Sequence, residues 1–162
     1  MTSAEAFKLV SNPQLAGKYK SWHCTEYALA LGAELERRHV RFARIHYTWW
    51  ESDSPMNMGE SKPEHAMHVI TYFLTYDSGV GWQQWLADNE NAKPIQVSGP
   101  LSSTNAIHWI KGFGSPFGRP LADIDAVYIS AGLQLGLTSV RHSDNAAPCG
   151  SAPSHRSSTT FH

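Results

Sequence analysis

Cysteine is scarce in this chain. Its 162 residues include two, Cys24 and Cys149. Two cysteines do not make a disulfide framework, and a bridge between them would tie a low-complexity tail to a helix start, so none is expected. An excess of charge of one sign is also lacking. Thirteen Lys and Arg stand against fourteen Asp and Glu, for a net charge of -1. That balance argues against a nucleic-acid partner, and the lack of a basic amphipathic helix argues against a membrane surface. No apolar run is long enough to span a bilayer. No charged-then-apolar leader opens the chain, and no internal repeat is visible. The expected location is therefore cytoplasmic, or secreted without a cleaved signal peptide. Neither a cysteine pair nor a His-Glu-x-x-His motif supports a zinc site, so no metal or cofactor is expected.

The residues present are those of a folding chain. Hydrophobic types make up 41% of it, enough for one domain with a real core. The domain is expected over residues 1–140. Residues 141–162 are mostly Ser, Ala, Pro, Asn and His without periodicity, the composition of a disordered tail. Nine histidines make the charge balance sensitive to pH near neutrality.

Periodicity predicts the elements. A short amphipathic helix is expected over Met1 to Leu9, capped by Thr2 or Ser3 and ended before Pro13. Ala28, Leu31 and Leu35 share a face with Cys24, which predicts a helix from Cys24 to about Arg38 capped by Ser21 or Thr25. Gly32 in its middle costs about 1 kcal/mol relative to alanine and suggests that another element crosses closely there. Val40 to Trp50 reads as a strand. Glu51 to Glu64 is a long polar loop of the kind that is often functional. Val69 to Tyr76 is apolar on both faces and predicts a central strand, followed by a turn at Asp77-Ser78-Gly79. Gly81 to Ala87 fits a short helix or the return strand of a hairpin, and periodicity does not separate the two. A short strand at Ile95 to Val97, a helix through Ile107, Trp109 and Ile110 capped by Ser102 or Ser103, and a strand from Ile124 to Ser130 complete the reading. Trp49, Trp50, Trp82, Trp85 and Trp109 read as core or cleft wall, because no basic stripe accompanies them.

One combination carries chemistry. A thiol is a strong nucleophile only as the thiolate, which the partial positive charge of a helix N-terminus favours. Cys24 stands at such a start. An imidazole can take its proton, and a carboxylate can fix the tautomer of that imidazole. Two histidines near the head of the central strand compete for the role, His65 and His68. They have opposite parity on a regular strand. Asp77 lies nine positions after His68, too far along a continuous strand, so Asp88 is preferred as the third member. Asp123 and Asp125 stay possible.

Cys24-Thr25-Glu26-Tyr27-Ala28, followed by a helix and then Arg41 and Arg44, resembles the nucleophile segment of transglutaminase-like proteins. His65-Ala66-Met67 resembles the histidine segment of transglutaminases and papain-like proteases, and Gly81-Trp82 with Asp88 beyond resembles their downstream acidic segment. Met67 stands where transglutaminases usually show tryptophan, and no proline follows Asp88. The likeness, over about residues 22–89, is therefore to the wider papain-like and transglutaminase-like superfamily, including small papain-fold toxins and bacterial glutamine deamidases. It implies an α+β fold with a nucleophile helix packed on an antiparallel sheet. It also implies a cysteine hydrolase, a deamidase or thiol protease acting on protein substrates, that uses Cys24, His68 or His65, and Asp88. The competing expectation is a non-catalytic protein-binding domain of the same fold with Cys24 buried and inert, since free cysteine is among the most buried residue types.

Overall fold

The computed structural model describes residues 1–19, 23–51, 64–91, 93–113 and 124–132, the side chains of 50, 51, 64–66, 113 and 125 excepted. Helix α1 (Ser3–Val10) opens the chain. Thr2 and Glu5 form a reciprocal capping box at its start, with the Thr2 N–H donating to Glu5 Oε2 at 2.7 Å, so two otherwise unpaired donors are satisfied. Asn12 caps the one-turn α2 (Pro13–Ala16), and Pro13 stands in its first turn, where the missing N–H costs nothing.

Helix α3 (Cys24–Arg37) ends in a Schellman motif. His39 takes φ of 53°, its N–H donates to Glu36 O, and the Val40 N–H donates to Leu35 O. These bonds satisfy the last carbonyls, while Val40 joins Leu35 in the core. The reversal delays strand β1 to Phe42–Glu51, two residues later than the alternation suggested. At the start of α3 the cap is His23, which makes no side-chain cap hydrogen bond; Ser21 lies outside the described residues.

Strands β2 (Glu64–Asp77), β3 (Gly81–Ala87), β4 (Ile95–Val97) and β5 (Ile124–Ala131) complete a five-stranded sheet in the order β4-β3-β2-β1-β5. All four pairings are antiparallel. The segment at Gly81 is thus a return strand. Gly79 and Gly81 have φ of 86° and 94°, a conformation that suits glycine, and they close a tight hairpin between Asp77 and Gly81. Helix α4 (Ser103–Phe113) follows β4. Ser102 Oγ accepts the Asn105 N–H at 3.2 Å at its start. The α+β class and the helix-on-antiparallel-sheet arrangement expected from the sequence are both present.

The two faces of the sheet carry separate cores. Phe42, Phe73, Trp85 and Ala87 pack with Leu9, Tyr27, Leu31 and Leu35 of α1 and α3. Ile45, Tyr47, Ile70, Tyr72 and Leu86 pack with Ala106, Trp109 and Ile110 of α4. Burying Leu31 and Leu35 stabilises the α3 interface by roughly 1.5–3 kcal/mol each. Gly32 lets that interface close. A Cβ there would lie 2.5 Å from Arg44 Nη2 and 3.0 Å from Phe42 Cε2, so β1 is the element that crosses closely. One aromatic departs from expectation. Trp82 is 66% exposed and meets Tyr76, also exposed, edge-on across the hairpin; it alternates to the same face as Leu86, opposite α1.

Candidate site at the His68 end of the central strand

Strand β2 is buried along most of its length, and its two ends differ. At the hairpin end Asp77 Oδ1 accepts the Ser3 N–H at 3.0 Å, and Asp77 Oδ2 accepts from Ser3 Oγ. These bonds hold the Asp77 carboxyl below its ordinary range. Asp77 is therefore an anchor for α1, far from the histidines. At the other end stands His68.

His68 and Asp88 are both almost completely buried, and the His68 Nε2–H donates to Asp88 Oδ2 at 3.0 Å. They are 20 residues apart in sequence. The hairpin brings them together: Thr71 pairs with Ala87, so Asp88 emerges beside β2 just where β3 stops. The second oxygen of Asp88 is fixed by its own turn. It accepts from the Glu90 N–H at 3.2 Å, the Asn91 N–H at 2.9 Å and Asn91 Nδ2 at 2.8 Å. Four donors to one carboxylate lock its orientation. The charge is felt around it. Burial, reinforced by Asp88, pushes the phenols of Tyr27 and Tyr47 well above their usual range. Glu90 is raised by partial burial and then by Asp88, with His68 opposing.

Cys24 is the first residue of α3 and is fully buried. It clusters with Ala28 and Val69, and its Sγ lies 4.0 Å from Thr25 Oγ1. Two findings revise the expectation for it. First, Cys24 is disulfide-bonded, contrary to the expectation of no bridge; Cys149 lies outside the described residues. Second, strand register puts Cys24 and His68 on different sides of β2. His68 pairs with Tyr47 and meets its ring edge-on at 5.7 Å, and Tyr47 belongs to the α4-side core. Val69, which contacts Cys24, alternates to the α3 side.

The other named residues stand as follows. His65 lies in β2 with its backbone paired to Trp50, and its side chain is outside the described residues, as are Asp123 and the side chain of Asp125. His23 is exposed beside Glu26 at 3.5 Å. His46 was not singled out by sequence. It pairs with Val69 in the sheet, stacks on Tyr128 at 4.4 Å and lies 3.3 Å from Ser130 Oγ. Burial, then the nearby Arg44, lowers its pKa to about 4, so it stays neutral at physiological pH. Only strand alternation along β1 could have signalled it. Among the described residues no group of three or more His, Cys, Asp or Glu is arranged to hold a metal, and no helix is long and apolar enough to cross a membrane.

No family model, curated protein or solved structure matches the chain.

Proposed function

We propose that the chain is a cysteine-dependent amide hydrolase acting on protein substrates, with Cys24 as nucleophile, His68 as base and then acid, and Asp88 as the residue that orients the imidazole. The observation that carries this reading is the buried His68–Asp88 hydrogen bond at 3.0 Å, with its carboxylate held by three further donors. Such a carboxylate fixes the tautomer of its imidazole and stabilises the imidazolium that forms on proton transfer. Cys24, at the first position of a 14-residue helix, has the helix-start environment that favours a thiolate. In the reaction the thiolate adds to the amide carbonyl, the C–N bond breaks, and His68 protonates the departing nitrogen. Water then resolves the thioester. The Cys, His, Asp order and the residues around Cys24 and His65 resemble the papain-like and transglutaminase-like superfamily. By analogy with its small toxins and glutamine deamidases, the proposed setting is that of a toxin or secreted effector. The reading has two requirements: reduction of Cys24, and closure of the first turn of α3 onto the side of β2 left uncovered where β3 ends.

The test is ammonia release from a glutamine-containing protein under reducing conditions, run beside a peptide-cleavage assay. Activity abolished by Cys24→Ala and lowered about 100-fold or more by His68→Gln is the expected result. Reduced protein without either activity removes the reading.

A second reading, a non-catalytic protein-binding domain of the same fold, is favoured by the disulfide at Cys24 and by its separation from His68 across β2. In it the His68–Asp88 pair fastens the β3 terminus to the central strand, and the exposed Trp82 and Tyr76 contribute to the binding face. Activity that is absent in the reduced protein and a Cys24 that reacts only after unfolding support it.

A further inference from the structure

One histidine lies level with the start of α3, on the Cys24 side of the sheet. A Cβ at Gly32 would meet Phe42 and Arg44, and one turn earlier Ala28 O accepts from Arg44 Nε–H at 3.3 Å, so α3 runs antiparallel to β1. One further turn back, about 6 Å along the helix, is Cys24. The next residue of β1 on that face, about 6.6 Å along the strand, is His46. A second observation agrees. Cys24 packs on Val69, which is the partner of His46 across the β1–β2 ladder.

This seat does not suit a charged imidazole. The ring is half-buried and stacked on Tyr128, with Ser130 Oγ at 3.3 Å. Its own strand places Arg44 beside it, which together with burial disfavours a second cation. From β5 comes the Tyr128 phenol, pushed up by burial and so neutral. From β2 come Val69 and Thr71, which do not ionise. From α3 come Cys24, tied in a disulfide, and the partial positive charge of the helix start. The acidic residues of α3 lie elsewhere: Glu36 acts on Arg44, and Glu26 is exposed beside His23. Among the described residues no carboxylate offsets a charge on His46. The first turn above it is also the least secured part of α3, since His23 gives no side-chain cap bond.

We propose that His46 is an acid-sensitive latch on the first turn of α3: once protonated it is driven toward water, and the turn lifts from the sheet and uncovers Cys24. The latch goes beyond the hydrolase reading; only the use of the uncovered Cys24 as a nucleophile rests on that reading. The folded-state value of about 4 lies below the ordinary 6.5. Closure is therefore fully favoured above about pH 6.5 and is lost as pH falls toward 4. At pH 5 any state that exposes the ring gains about 30-fold over its population at neutral pH.

The experiment is amide hydrogen exchange of the wild-type chain and His46→Gln at pH 7.5 and pH 5, with protection corrected for the intrinsic exchange rate, beside an NMR titration of the His46 ring in wild type. Protection of the Tyr27 amide, which donates to His23 O at 2.9 Å, and of the Ala28 amide should fall about 30-fold at pH 5 in wild type. It should then lie below that of the Ile70 and Phe73 amides in β2, the mark of local opening. In His46→Gln the fall should vanish, and the wild-type ring should titrate well below 6.5. Unchanged protection at pH 5, an equal fall in both proteins, first-turn protection equal to that of β2, or a ring that titrates at 6.5 or above overturns the latch. If His46→Gln does not fold, the wild-type exchange and the ring titration decide. None of these measurements needs activity. Wild-type protein that releases no ammonia therefore removes the hydrolase reading and leaves the latch to be decided by exchange and titration.

Discussion

The two ends of β2 are built from the same kinds of residue and treat their polar groups differently. At the hairpin end Thr75 and Asp77 are both hydrogen-bonded, while Gln84 Oε1 nearby has no partner. Thr75 Oγ1 accepts Trp85 Nε1–H at 2.8 Å and lies 2.9 Å from Ser3 Oγ, while Asp77 holds the start of α1. At the His68 end a strongly bonded His68–Asp88 pair is surrounded by orphans: Tyr27 and Thr71 toward α3, Tyr47 toward α4, and Asn89 beyond β3. Buried polar groups left unpaired cost about 1–3 kcal/mol each. The His68 end carries several of them beside a fully formed pair, whereas the hairpin end ties α1 to the sheet.

That contrast breaks first at Asp88. Asp88→Ala removes the acceptor of four hydrogen bonds, that of the buried His68 among them, so it should cost about 3–5 kcal/mol in urea unfolding. A loss below about 1 kcal/mol would mean that the pair contributes little. At the hairpin end Trp85→Phe loses one hydrogen bond and part of a ring that meets Phe7 edge-on. About 1–2 kcal/mol is expected, clearly less than for Asp88.

Asp77 sharpens the contrast through pH. Its carboxyl is held below the usual 3.8 by Ser3. A lowered folded-state pKa gives stability that is present above the unfolded value and is lost as pH falls through the folded one. Unfolding measured from pH 5 downward should show this loss, and Asp77→Asn should flatten it. The smallest effect belongs to Tyr47→Phe. Removing the orphaned hydroxyl should raise stability by about 1 kcal/mol, measured by the same unfolding; a loss instead would reveal a partner for that hydroxyl.

Much of this arrangement was legible in the residues. The helix behind Cys24 was visible in the spacing of Ala28, Leu31 and Leu35, and the central strand in the β-branched run from Val69. Gly32 announced a close crossing, which Arg44 and Phe42 make. Asp88 was preferred over Asp77 by strand length and by the resemblance of its segment, and the hairpin places Asp88 beside His68. What was not legible depends on pairing between distant segments. The side of β2 on which His68 lies is fixed by its register against Tyr47, and short motifs carry no register. The exposure of Trp82 depends on which face of the β2–β3 hairpin it takes, the one opposite α1. The disulfide at Cys24 was missed because composition carries no information on pairing. His46 was missed because its partners, Tyr128 and Ser130, are more than 80 residues away.

The central claim is that Cys24 acts with His68 and Asp88. Its most direct measurement is the rate of Cys24 alkylation by iodoacetamide across pH in the reduced, folded protein, for wild type, His68→Gln and Asp88→Asn. The account predicts rapid alkylation well below pH 8 in wild type, where an ordinary thiol of pKa about 8.5 is slow, and loss of that low-pH reactivity in His68→Gln. A thiol that reacts only after unfolding, or with the same pH profile in wild type and His68→Gln, would contradict it.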